Sequence, residues 1–109
     1  AVARAQQRRV QAVAAMARIF HAPGCLLVLP TVPTAAPARS DSPARVDGVR
    51  QRSQQLLCIA GLAGLPQVTL PWTRIDGAPV GLSLIGARGD DERVLAAALA
   101  LGQTLETNP

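Results

Sequence analysis

The side chains best suited to nucleophilic or general-base chemistry are Ser40, Ser42, Ser53, Ser83, Cys25, Cys58 and His21. A serine becomes a nucleophile only beside a group that takes its proton. No two of these serines are adjacent and none lies in a glycine-rich setting. All eleven basic residues are arginine, so no lysine is present to act as a base. Ser40, Asp41 and Ser42, with no partner base, read as turn formers. A thiol–imidazole pair would have to join Cys25 or Cys58 to His21, with no carboxylate or amide in place to orient the ring. Cys25 and Cys58 are 33 residues apart in sequence, form no CxxC and have no second ligand at metal-binding spacing. They read as reduced, mostly buried thiols of a cytoplasmic protein. His21 falls at the end of a helical stretch, before Pro23-Gly24, where a cation suits the negative end of the helix dipole.

With no complete catalytic set, the elements become the informative level. Residues 58–86 are the centre of the chain. Gly61 and Gly64 allow close backbone approach or a positive φ. Pro66 ends the helix arriving from the N-terminal side. A strand over Gln67–Trp72 places Val68, Leu70 and Trp72 on one face and Thr69 on the other. Asp76-Gly77 signals a tight turn. A second strand over residues 80–86 alternates Val80, Leu82 and Leu84 with Gly81, Ser83 and Ile85. The two strands are expected to pair antiparallel.

Upstream, residues 1–21 form an amphipathic helix with an apolar stripe of Val10, Val13, Ala14, Ala17 and Phe20. Arg4, Arg8, Gln11 and Arg18 lie off it. Cys25–Leu29 is a continuous apolar run, as in a strand buried on both faces. Residues 30–48 hold four prolines, two aspartates and two serines and read as a long loop. A second helix covers Val49–Leu62, with Val49, Leu56, Ile59 and Ala60 on its apolar side. A third covers residues 89–106, opened by Asp90, Asp91 and Glu92. Its stripe is Val94, Ala98, Leu101 and Leu105, joined by Leu95 and Leu99, and Thr107-Asn108-Pro109 reads as its end. The order is helix-strand-loop-helix-strand-strand-helix, an α/β segment.

The totals exclude several classes. At 109 residues and 49% hydrophobic, the chain is at most one domain and is not disordered. The longest apolar run, Val94 to Leu101, is too short to span a bilayer. The net charge of +4 could indicate a nucleic-acid partner, but the arginines are dispersed and only Phe20 and Trp72 are available for base stacking. No nucleic acid and no membrane are expected as partners.

Three stretches resemble the C-terminal part of the amidase signature family: Leu26–Thr31 followed by Pro33 and Pro37; Ala63-Gly64-Leu65-Pro66 with the strand to Pro71 and then residues 79–86; and Asp90-Asp91-Glu92 opening the final helix. The resemblance covers nearly the whole chain, in the family's order and spacing. The chain departs from it near Cys25, where the family carries an aspartate. Members of that family hydrolyse carboxylic amides with a Ser-Ser-Lys set and need no metal or cofactor. The resemblance implies that residues 1–109 are a single C-terminal fragment of a mixed-sheet amidase signature domain, with the catalytic residues outside it. Its partners would be a small-molecule amide substrate and the remainder of the amidase chain. The implied substrate-pocket positions are Thr31 at a strand exit and Gln54, Cys58 and Gly61 along the second helix. The alternative reading is a non-catalytic, basic α/β interaction module.

Overall fold

The computed structural model describes residues 1–107; Asn108 and Pro109, at the expected end of the last helix, lie outside the described residues. The elements are α1 (Val2–Ile19), β1 (Leu27–Pro30), α2 (Pro43–Ala63), β2 (Gln67–Ile75), β3 (Ala78–Ile85) and α3 (Asp91–Thr107). The strands form one sheet in the order β1-β3-β2, antiparallel throughout.

The β2–β3 hairpin forms where the alternation and the Asp76-Gly77 pair place it. Both turn residues have positive φ, 50° and 80°, the backbone that matches strand twist across a two-residue loop. Arg74 Nη1 donates to the Gly77 carbonyl at 2.8 Å across the turn. The strand alternation does not run through β2 unbroken. The register shifts by one between Pro71 and Thr73, leaving Trp72 as a bulged residue. Trp72 therefore does not continue the Val68–Leu70 row, and it is half exposed. Pro71 is tolerated because β2 is an edge strand.

β3, not β1, is the central strand. Its middle is covered on both faces, with Leu84, Ser83 and Ile85 all buried. β1 sits at the sheet edge and Val28 is 54% exposed, so the apolar run there is not buried on both faces among the described residues. α3 packs on the face carrying Val68, Leu70 and Leu84, with Val94 and Ala98 at the centre and Leu101 beside them. Leu95 and Leu99 do not join that stripe; they are 60% and 67% exposed, because only one side of α3 meets the sheet. The Asp90 carbonyl accepts the first helical hydrogen bond from the Val94 amide at 2.9 Å.

α2 begins six residues before the expected Val49, which shortens the 30–48 loop. Ser42 is its N-cap, with Oγ accepting from the Arg45 amide at 3.2 Å. Pro43 supplies the next position, where its missing N–H costs nothing. The preceding turn closes through Asp41, which accepts from the Ala38 amide and pairs with Arg45 at 3.3 Å. α2 ends at Gly64, in the left-handed region at φ 69° with its N–H bonded to the Ala60 carbonyl. α1 lies beside α2, where Arg9 Nε donates to the Leu62 carbonyl at 3.1 Å. The half-buried side of α1 carries Val13, Met16 and Phe20, while Val10, Ala14 and Ala17 are exposed. The stripe is rotated from its expected position because α2 approaches on the Arg9 flank. The dimensions are 41 × 40 × 15 Å and the radius of gyration 16.1 Å, against about 13 Å for a compact domain of this length. The chain is a flat, open layer.

The left-handed cap gives a direct test. No atom lies within 4 Å of a Cβ added at Gly64, so the constraint there is the backbone conformation alone. Gly64→Val is expected to lower stability by about 2 kcal/mol, because a β-branched residue resists positive φ. Gly64→Asn should lose well under half of that, since asparagine tolerates this region. Thermal melts of both variants decide; equal losses would mean that crowding sets the position. Gly61 differs from expectation. It lies in the last turn of α2 with ordinary φ and open space around it, so no close backbone approach occurs there.

Candidate functional site

The candidate site lies where the three strands bring their hydroxyl-bearing residues together. Ser83, on central β3, is fully buried. Its Oγ lies 2.7 Å from Thr31 Oγ1, just past β1, and 3.2 Å from Thr69 Oγ1 on β2. Thr69 is directly opposite Ser83 in the register. Thr31 is held beside it by its amide, which donates to the Gly81 carbonyl at 3.1 Å. Gly81 makes room for this arrangement. A Cβ there would stand 3.0 Å from both Thr31 Oγ1 and Thr69 Cγ2. The bulge at Trp72 then turns Arg74 to face the same side as Thr69, paired with Pro79. Thr31, Thr69, Gly81, Pro79 and Arg74 line a groove of about 1070 Å³ that continues along β2 to Leu99 and Gly102 of α3.

Among the described residues these hydroxyls meet one another and no base. The partners of Ser83 are two alcohols, neither of which is a base. His21 is bonded through Nδ1 to the Arg18 carbonyl at 2.8 Å, the helix-end role expected of it. Cys25 Sγ points to the Ile19 carbonyl at 3.6 Å. No thiol–imidazole pair results, and both cysteines are unpaired. Cys58 is exposed rather than buried, because it lies off the side of α2 that carries the buried Val49, Ala60 and Ala63. Among the described residues, no group of three His, Cys, Asp or Glu side chains converges.

Of the sequence-derived pocket residues, Thr31 lines the groove. Gln54, Cys58 and Gly61 follow one another at helical spacing on α2 and form an exposed stripe. The structure does not bring them to the groove that holds Thr31. Sequence reasoning missed Ser83 and Thr69 as partners. The available signal was their place on the polar side of two alternating strands.

The amidase family model matches residues 1–95. Amidase 1 of Oryza sativa subsp. japonica is 36% identical over 92% of this chain and 23% of its own length. A glutamyl-tRNA(Gln) amidotransferase subunit of Latilactobacillus sakei is 40% identical over 76% of this chain and 17% of its own. The crystal structure of the corresponding glutamyl-tRNA(Gln) amidotransferase subunit of Thermotoga maritima superposes with a TM-score of 0.69 at 24% identity, covering 85% of this chain and 20% of that one. The class these comparisons define is that of α/β chains with the amidase fold. The chain belongs to the amidase family. It spans about a fifth of the length of the relatives it matches. No described helix is long and apolar enough to cross a membrane.

Proposed function

We propose that this chain is the C-terminal fragment of an amide hydrolase that cleaves carboxylic C–N bonds through a Ser-Ser-Lys set outside these residues. The match to the amidase family model over residues 1–95 carries the reading. The lack of lysine and of adjacent serines here supports a catalytic set elsewhere in the parent chain. This segment contributes β1–β3 to the sheet and a wall of the substrate pocket. Thr31 is the pocket residue on the sheet, and Gln54, Cys58 and Gly61 form a second lining surface on α2. The open dimensions support a surface that meets the remainder of the amidase chain. The substrate is a small-molecule amide. The unpaired cysteines favour a cytoplasmic setting.

The test uses the segment and its full parent chain against aliphatic and aryl amides. The parent should turn them over, and the 109 residues alone should not. Turnover by the purified segment, or a parent chain with no lysine and no Gly/Ser-rich motif upstream, would overturn the reading. Gln54→Ala in the parent should raise KM or shift substrate preference with little change in melting temperature, because an exposed amide contributes little to stability.

A further inference from the structure

We infer that Thr31, Thr69 and Ser83 form a subsite for a second, non-reacting polar group of the amide substrate, a primary carboxamide, with Ser83 as the positioning residue. The inference deepens the amide-hydrolase reading and rests on it. Three hydroxyls carry three protons, and two O–O contacts use two of them. If both threonines donated to Ser83, its own proton would be left buried without a partner, which is costly. So one threonine donates to Ser83, and Ser83 donates to the other. That second threonine has its own proton free to donate, and both keep lone pairs that accept. The groove edge therefore offers a donor and acceptors side by side, the complement of a carboxamide's C=O and NH2. The order can reverse through Ser83, so either orientation of the ligand is met. Gly81 sets the spacing, since a Cβ there would press on both threonine side chains. With no base in contact, the site holds the end of the molecule that does not react.

The experiment compares succinamide, with two carboxamides, and butyramide, with one, on the full parent chain. The readout is the ratio of their kcat/KM values. Ser83→Ala and Thr31→Val should each lower that ratio about tenfold, the worth of one hydrogen bond, mainly through KM for succinamide. Thr31→Ser, which keeps the hydroxyl, should restore it. Gly81→Ala, which keeps all three hydroxyls but spreads them, should lower it as well. An unchanged ratio, or equal losses on both compounds, overturns the subsite and leaves a purely structural network. If the parent chain hydrolyses neither compound, the hydrolase reading is judged on the wider panel of aliphatic and aryl amides. Saturation-transfer NMR then decides the subsite: transfer to succinamide that exceeds butyramide and disappears in Thr31→Val supports it, and equal transfer overturns it.

Discussion

Gly86→Ala is expected to destabilise the chain by about 3 kcal/mol, at the upper end of what overpacking a core produces. A Cβ at Gly86 would fall inside any allowed contact distance of Val94 Cγ2, with Leu26 Cδ2 at 3.4 Å behind it. Val94 is fully buried in the first turn of α3. Its β-branched side chain holds essentially one rotamer in a helix and cannot swing away. The helix would have to lift from the sheet, opening the contact of Val94 and Ala98 with Leu84. Urea unfolding should show a lower midpoint with an unchanged slope. Adding Val94→Ala to Gly86→Ala removes the colliding methyl and should recover part of the loss, a coupling that a double-mutant cycle measures directly. Additive losses in that cycle would show that the two side chains do not compete for the same space.

Leu84→Ala should cost about 3 kcal/mol through the cavity it leaves. Leu84 sits on the central strand opposite both Val28 and Val68. It packs against Val94 and Ala98, so neighbours on three elements lose contact with it together. None is free to fill the space, because strand pairing holds two of them and α3 the rest. Leu84→Met, which keeps the volume, should cost less than about 1.5 kcal/mol. The urea midpoints of the two variants separate the explanations: equal losses would mean that side-chain shape, not cavity volume, governs this core.

Much of the architecture was legible residue by residue. The Asp76-Gly77 turn, the alternation on either side of it and the stripe of α3 from Val94 to Leu105 specify local structure through steric and burial preferences that act over a few residues. The start of α2 was also written locally, in Ser42-Pro43, but the prolines around it favoured a loop reading. The rotation of the α1 stripe was not legible, because it depends on which flank of α1 meets α2 and on Arg9 reaching the Leu62 carbonyl. Of the candidate site, Thr31 was legible as a strand-exit residue, while the hydroxyls it meets were not.

The amino-acid pattern by itself determined the element types, the hairpin, the family resemblance and the lack of any lysine in these residues. Tertiary structure decided which strand is central and which side chains meet. A two-residue turn between Ile75 and Ala78, followed without interruption, would set Thr69 opposite Leu84 and Leu70 opposite Ser83. That pairing would mix hydroxyl and leucine on each face. The bulge at Trp72 shifts the register by one residue, so that Thr69 meets Ser83 and Leu70 meets Leu82. A one-residue slip exchanges the faces of a strand, and burial of Leu70, Val68 and Leu84 under α3 selects the shifted pairing. The hydroxyl cluster follows from that choice, made by packing against α3, which begins only after β3 has ended.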